Sequence, residues 1–401
     1  MMPFETHPQW KAVYHIHQNL KLKGFRSLIA GGAVRDLLLG RTPNDIDLAT
    51  NATPEQVDEI FNKTVMVGKA FGVSRVIVDE HDIEVATFRK DGPYKNGRSP
   101  ESVEYSSEEE DAKRRDFTIN AMFYDLEKSE VLDYVGGQQD IMRKVLTTVG
   151  DPMLRFEEDK LRILRALRFH GQLSFTIDPK TAQAIRRFSK KMDQVSMERI
   201  RDEWIKLLVS ENAVSALQQV YDLGLWEALF SPWSFQMDSY KQHFNGLPHD
   251  LDSAWILWFL IHHPESPEDL ARLGLHWKLT KVQIQKMVYC LRSLPQLRNI
   301  QKIDAVDLAI FMGKPNGRLA VDIYKELYKT RLKKNFLDKL QEAETFFSKD
   351  KLPSLLVSGD DLIQYGLAPG PEIATQLKEL YRIQLLENIH FKEELMSKIK
   401  S

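Results

Sequence analysis

The sequence predicts an α+β head, a small mixed sheet with helices, followed by a long all-helical remainder. Three observations predict it. Runs rich in β-branched and apolar residues alternate with helical patterns only in roughly the first third of the 401 residues. The β signals stop near Gly136-Gly137 and Gly150-Asp151-Pro152. From Pro152 onward nearly everything reads helical, without a fixed-period repeat.

In order, Phe25 to Ala30 reads as a short apolar strand, Gly31-Gly32 as a tight turn and Ala33 to Leu39 as a helix. Asp45 to Thr50 reads as the next strand, and Thr53 to Phe61 as a helix opened by Thr-Pro. Val73 to Val78 and Ile83 to Phe88 form a hairpin pattern around Asp79 to Asp82. Arg89 to Pro100, rich in Gly, Pro and Asn, reads as a loop, and Glu108 to Asp111 as a solvated helix start. Beyond Pro152, Leu161, Leu164, Leu167 and Phe169 recur at helical spacing, as do Ile200, Trp204 and Leu207-Leu208. Trp226, Trp233, Trp255, Trp258 and Trp277 read as helical core packing.

Composition narrows the function classes. An apolar fraction of 43% and a charged fraction of 28%, with 20 Gly and 17 Pro, exclude collagen and bulk disorder. The single cysteine, Cys290, excludes an intrachain disulfide framework and a multi-cysteine zinc site, and suits a reducing cytoplasm. The longest strongly apolar run, Ser253 to Ile261, is about half of what a bilayer span needs. The N-terminus has no signal-peptide pattern, so a soluble intracellular protein is expected. Net charge is −2, but residues 1–150 sum to −5, 151–210 to +4 and 211–401 to −1. A basic segment beside an acidic one could hold a polyanion near a metal, although a solvated helix face gives the same sums.

The strongest chemical signal is Gly31-Gly32-Ala33-Val34-Arg35-Asp36, then Gly40, then Asp45-Ile46-Asp47. On a strand, Asp45 and Asp47 project to one face while Ile46 points to the core. Paired carboxylates of this kind suit Mg²⁺, which binds through one or two carboxylates plus substrate phosphates. Gly31 and Gly32 between strand and helix let backbone amides approach a phosphate, and Arg35 can pair with its oxygens. Metal, triphosphate cradle and cationic clamp together describe nucleotidyl transfer.

This order of residues resembles the head of class II tRNA nucleotidyltransferases, the CCA-adding enzymes, and of the related bacterial poly(A) polymerases. Arg114-Arg115-Asp116-Phe117-Thr118-Ile119-Asn120-Ala121 is similar to the family's second motif, which implies ribose and phosphate handling by Arg115. Asp133 to Ile141 resembles the end of the head. Asp151-Pro152, Arg155-Phe156-Glu157-Glu158-Asp159, Arg162, Arg165 and Arg168-Phe169 resemble the neck motif that selects the base. The resemblance implies a nucleotidyltransferase head (1–150), then an all-helical neck (151–212), body (213–335) and tail (336–401). It implies Asp45 and Asp47 as catalytic metal ligands for Mg²⁺, and Gly31, Gly32, Arg35, Arg115, Asp159, Arg162, Arg165 and Arg168 as nucleotide-binding residues. The implied partners are the tRNA 3′ end with CTP and ATP, in the cytoplasm, with no membrane and no protein partner required for catalysis.

Asp159 and Arg162 can also be argued from hydrogen bonding. Read on one helix, they are neighbours at i and i+3, and Glu158–Arg162 at i,i+4 fits a plain helical ion pair equally well. An ionised Asp only accepts and an Arg only donates. Cytosine offers an amino group beside N3 and adenine an amino group beside N1, so one acceptor–donor pair reads both. Uracil and guanine carry a carbonyl and an N–H there and mismatch twice. Arg165 and Arg168 lie too far around the helix for all the set to face one point, so at least one could hold RNA phosphate or brace the head. Arg115 could instead pair locally with Asp116. Glu84 could be a third carboxylate near the metals or a solvent-facing strand residue.

Four activities share such a head: full CCA addition, CC addition, A addition and poly(A) tailing. A retained loop at Arg89 to Pro100, with Asp91, Tyr94, Arg98 and Pro100 on the family pattern, disfavours CC-only addition. Gly68-Lys69-Ala70-Phe71-Gly72 lacks the Arg-Arg-Phe run of the poly(A) polymerases, and Arg199-Ile200, Glu203 and Lys206-Leu207-Leu208 fit CCA-adding relatives, although any amphipathic helix would serve. A-only addition beside a separate CC-adding enzyme stays open. A non-catalytic RNA-binding protein is disfavoured because Asp45, Asp47 and Arg162 are all kept. Lys325, Lys329, Arg331, Lys333 and Lys334 read as a basic helical stretch for tRNA phosphates or as a solvated face. Val357 to Leu362 with Pro369-Gly370-Pro371 resembles the family's tail. His243, His249-Asp250 and His262-His263 read as core or surface histidines.

Overall fold

The computed structural model describes residues 4–66, 72–94, 102–230, 250–262, 266–299, 303–332, 334–349 and 351–399. Contacts divide the chain into two units, Met1–Phe235 and Gln236–Ser401.

Helix α1 (Trp10–Leu22) opens the first unit and buries Ala12, Val13, Ile16 and Leu20, one face at helical period. Strand β1 (Ser27–Ala30) is buried at all four positions, which suits its unbroken apolar run. It pairs antiparallel with β2 (Asp47–Thr50) and with β8 (Met122–Asp125). Between β1 and β2 lies helix α2 (Gly32–Leu38). Helix α3 (Pro54–Ile60) follows, started by a capping box in which Thr53 and Gln56 satisfy each other's backbone amides.

Strand β3 (Thr64–Met66) pairs with β4 (Val73–Val78), which forms the expected hairpin with β5 (His81–Thr87). Strand β5 lies parallel to β2. With β9 (Glu130–Asp133) at the far edge, the sheet order is β3-β4-β5-β2-β1-β8-β9, a mixed sheet as expected. Strands β6 (Arg89–Asp91) and β7 (Val103–Tyr105) pair separately, so the predicted loop opens as a short β ladder. Residues 95–100 of that loop, with Arg98 and Pro100, lie outside the described residues, as does Gly68 to Phe71.

Helix α4 (Glu108–Arg114) and helix α5 (Gly137–Arg143) complete the head. Gly137 has to be glycine, since a Cβ there would lie 2.3 Å from the Thr118 carbonyl oxygen. Helices α6 (Pro152–Glu158), α7 (Leu161–Leu173), α8 (Pro179–Phe188), α9 (Met197–Leu208), α10 (Ala213–Asp222) and α11 (Trp226–Phe230) follow. They are not purely helical. Strand β10 (Val145–Leu146) pairs in parallel with β11 (Thr176–Ile177). Phe117, fully buried, meets Phe169 of α7 edge-on at 5.7 Å and ties the sheet to the helices.

The second unit is helical among the described residues. Its helix Leu251–Ile261 is buried from Ser253 to Ile261, so the longest apolar run is a core helix. Trp255, Trp258 and Trp277 are buried there, and Trp204 and Trp226 in the first unit, as packing predicts; Trp233 lies outside the described residues. Burial pushes the Cys290 thiol up to about 12, which leaves it unreactive. The tail-like segment packs Val357, Leu362, Leu380, Ile389 and Leu395 into one cluster. The basic stretch is not one helix. Helix Gly317–Leu327 ends before a 3₁₀ turn at Lys329–Arg331, and Lys334 opens the next helix. Lys325 and Lys329 pair with Asp322 and Glu326, and Lys333 lies outside the described residues. His243, His249 and His263 also lie outside them. Among the described residues no helix is long and apolar enough to cross a membrane.

Candidate active site

A cavity of about 770 Å³ opens in the first unit, and every candidate site residue lines it: Gly31, Gly32, Arg35, Asp45, Asp47, Arg115, Asp159, Arg162, Arg165 and Arg168, with Glu84. Sequence spacing of more than 120 residues between Gly31 and Arg168 is closed by the Phe117–Phe169 contact and by the turn that carries Asn120.

The acidic corner differs from the expected strand pair. Asp47 is the first residue of β2, whereas Asp45 precedes the strand; Ile46 between them is buried at 1% exposure. The β2–β5 register, Leu48 beside Val85, brings Asp47 next to Glu84. Burial pushes the Asp47 carboxyl up to about 7, and the negative charges of Glu84 and Asp45 add to it against Arg115. Glu84 is raised as well, by burial first, with Arg75 opposing and Asp45 adding. Glu84 therefore belongs electrostatically to the acidic corner. Among the described residues no group of three or more Asp, Glu, His or Cys side chains converges closely enough to hold a metal alone.

The glycine turn works by approach. Gly31 has φ +69°, and a Cβ on it would come 3.1 Å from Arg115 Nη1. Its own N–H donates to the Met122 carbonyl at 3.1 Å, so the Gly31 amide is not open to a phosphate. Arg35 uses all three guanidinium nitrogens: Nε and Nη2 donate to Asp36 at 2.8 and 2.9 Å, and Nη1 to Asn120 Oδ1 at 2.8 Å, with one further N–H on each Nη.

Asp111, expected at a solvated helix start, is buried at 1% exposure. It accepts from Arg114 Nε at 2.8 Å and Arg115 Nε at 3.0 Å. Arg115 thus pairs with Asp111 rather than Asp116, because a helix brings i and i+4 together. Its Nη1 also donates to the Asn120 carbonyl at 3.3 Å. Asp116 turns to Arg165 Nε at 2.7 Å. Burial would raise the Asp116 carboxyl, but Arg165 outweighs it and holds the group below the ordinary carboxylate range.

Asp159 and Arg162 do not share one helix. Helix α6 stops at Glu158, Asp159 is extended at φ −150° and ψ 105°, and α7 starts at Leu161. Asp159 Oδ1 accepts from the Leu161 N–H at 3.0 Å, and Oδ2 from Arg199 Nη2 at 2.7 Å. Arg162 Nη1 donates to Glu158 at 2.5 Å and to the Arg155 carbonyl at 3.0 Å, the i,i+4 pair that the sequence also allowed. Its guanidinium lies 5.8 Å from the Tyr94 ring. Arg165 and Arg168 meet at Glu203 and the Phe169 ring, whereas Arg162 turns to Glu158. Arg35, Arg165 and Arg168 reach the Phe169 ring at 5.5, 5.5 and 4.1 Å, and Glu203 accepts from Arg168 Nε at 2.6 Å.

The comparisons with known proteins agree on one family. Residues 27–147 match the model described as the poly A polymerase head domain, and residues 174–234 the one described as a probable RNA and SrmB-binding site of polymerase A. The curated CCA-adding enzyme of Bacillus pumilus is 36% identical over 85% of this chain and 84% of its own. The chain belongs to the CCA-adding enzyme family. The Bacillus licheniformis CCA-adding enzyme is 35% identical over 92% of both chains. The crystal structure of the Bacillus stearothermophilus CCA-adding enzyme in complex with CTP superposes with a TM-score of 0.78 at 30% identity, covering 98% of each chain.

Several polar residues of this CCA-adding family member went unread as parts of the site: Asp116, Asn120 and Arg199 line the cavity, and Glu203 and Asp111 pair with the arginines that line it. Arg199 and Glu203 carried a usable signal, since their i,i+4 spacing puts two charges on one face of α9. Asp111 carried none, because a helix start gives no sign of which acid is buried.

The raised Asp47 carboxyl has a consequence for stability. Unfolded, the group releases its proton near 3.8; folded, it keeps it to about 7. Between those values the folded state binds more protons, so Asp47 disfavours folding increasingly as pH rises and does so fully above about 7. In chelator-treated protein, Asp47→Asn is expected to raise Tm more at pH 8 than at pH 5, measured by calorimetry. An equal change at both pH values would contradict the shift.

Proposed function

We propose that this protein adds C, C and A to the 3′ end of tRNA from CTP and ATP, without a nucleic-acid template, and releases pyrophosphate. The observation that carries the reading is the single cavity shared by the acidic corner and by Asp159 and Arg162. The RNA 3′-hydroxyl oxygen attacks the α-phosphorus, the bond to the bridging oxygen breaks, and the hydroxyl proton is lost.

A divalent cation suits the acidic corner, because burial and the charges of Glu84 and Asp45 disfavour the Asp47 carboxylate there and only Arg115 opposes them. We assign its ligands to Asp45 and Asp47, with substrate phosphates completing the set as Mg²⁺ prefers. When bound, Mg²⁺ would lower the pKa of the attacking hydroxyl and neutralise phosphate charge. Arg115, Arg35 and the first amides of α2 would meet the charge that develops on the phosphates. Arg35 would exchange its Asp36 pairing to do so, or act by fixing Asn120. Asp159 and Arg162 would read the base through the lone pairs and N–H groups not already engaged by Leu161, Arg199, Glu158 and the carbonyls of Arg155 and Arg114.

We assign residues 1–150 to the catalytic head, 151–212 to the neck, 213–335 to the body and 336–401 to the tail, the last two gripping tRNA by shape. The protein would work in the cytoplasm. The test is extension of tRNAs ending at the discriminator base, at C and at CC, with CTP, ATP or both, followed by end sequencing. Addition of C, C and A to the shortest tRNA is the expected outcome. Extension of the CC-ending tRNA alone would make it an A-adding enzyme, and long A tails a poly(A) polymerase.

A further inference from the structure

The residues ahead of α1 run from the sheet to the loop that carries Asp45. Phe4 is buried, edge-on to Tyr124 of β8 at 5.6 Å. His7 is buried too. The Gln9 N–H donates to His7 Nδ1 at 3.2 Å, which leaves the ring hydrogen on Nε2, and Nε2 donates to the Pro43 carbonyl at 3.1 Å. Gln9 Oε1 then accepts from the Ile46 N–H at 3.0 Å. Ile46 is the residue between Asp45 and Asp47.

Two features make this contact more than incidental. Ile46 precedes β2, whose register with β1 begins at Asp47 opposite Ala30, so the ladder offers its N–H no partner. Gln9 also occupies the N-cap position of α1, yet its side chain makes no cap hydrogen bond. Ser, Thr, Asp or Asn is preferred at that position, and glutamine is not. The side chain is turned away from its own helix and onto the peptide that joins the two carboxylates.

We propose that Gln9, oriented by His7, is a positioning residue that holds the Asp45–Ile46 peptide so that Asp45 and Asp47 are prearranged for the divalent cation. It does not line the cavity and acts through Ile46. The inference rests on the reading above that Asp45 and Asp47 hold that cation.

The experiment uses the full chain and two variants of similar shape. Gln9→Met removes the acceptor while keeping side-chain length, and Gln9→Glu keeps an acceptor. Mn²⁺ affinity is titrated at a fixed saturating concentration of a non-hydrolysable CTP analogue, without tRNA, by the water-proton relaxation enhancement of the protein-bound ion, alongside kcat, KM and Tm. Gln9→Met is expected to weaken Mn²⁺ binding and to lower kcat about 10- to 100-fold for C and A addition alike, the scale of a misplaced reacting group. KM for CTP and ATP and the Tm are expected to stay near wild type, and Gln9→Glu to recover Mn²⁺ binding. Wild-type kcat and Mn²⁺ affinity in Gln9→Met would overturn the proposal, as would losses in both variants that follow Tm alone. Asp45→Ala in the same titration separates the two readings. If it keeps wild-type Mn²⁺ affinity, the cation assignment fails and the positioning role falls with it. If it loses Mn²⁺ while Gln9→Met does not, only the role of Gln9 is overturned.

Discussion

Replacing Asp47 by Ala is expected to abolish incorporation of C and of A together, by at least about 10³-fold in kcat, the loss of several kcal/mol of charge stabilisation. The same substitution is expected to leave tRNA affinity near wild type, because phosphate-binding arginines and lysines are untouched. It also carries a signature that misfolding cannot imitate. Asp47 is half-buried beside Glu84 and Asp45, and its charge is disfavoured in the folded protein up to about pH 7. Removing it relieves that repulsion, so the inactive variant is expected to be more heat-stable than the chelator-treated parent at pH 8. Asp45→Ala should match the loss of activity. Single-turnover extension with CTP and with ATP, filter binding of tRNA and calorimetry check the three parts. Near-normal incorporation by either variant would remove the carboxylates from the proposed chemistry.

Arg162→Ala is expected to act on choice rather than on chemistry. The residue donates to Glu158 and to the Arg155 carbonyl, and Asp159, its partner in the proposed base reading, is held separately by Arg199 and by the Leu161 amide. Losing the donor removes one of the two mismatches that exclude uracil and guanine. A site built to hydrogen-bond its substrate discriminates by about 10⁴–10⁵, and loss of one contact should relax that by about 10²-fold. Competition among the four nucleoside triphosphates, read as ratios of kcat/KM on tRNA ending at the discriminator base, measures it. The truncation also removes one of the two arginines on Glu158 and leaves Arg155 Nη1 at 2.9 Å, so only a small fall in Tm is expected beside the loss of selectivity. Unchanged ratios, with only the Tm lowered, would leave Arg162 a structural ion pair.

The α+β class was legible because alternation of period stops at Gly150-Asp151-Pro152, and strands β1, β4 and β5 follow from β-branched and apolar runs at short range. The core tryptophans were legible for the same reason, since burial follows from apolar area alone. Asp45, Asp47, Arg115, Asp159 and Arg162 were legible as chemical types at recognisable spacings, and all of them line the same cavity. What each side chain is bonded to was not legible. Asp159 and Arg162 were read at i and i+3 of one helix, yet the chain breaks at Asp159, whose carboxylate caps α7 and meets Arg199 forty residues on. Arg115 chose Asp111 over its neighbour Asp116, which went instead to Arg165 on another helix.

The sequence by itself therefore determined where strands and helices run, which residues can accept, donate or carry charge, and the order in which they come. Only the tertiary structure decided which of them meet. Periodicity and residue chemistry are local properties, whereas an ion pair such as Asp159–Arg199, or the Gln9 contact with the Ile46 amide, depends on long-range packing that brings distant segments within 3 Å. The charge state of Asp47 depends on that same packing, because burial and the neighbouring Glu84 arise only when β2 and β5 lie side by side.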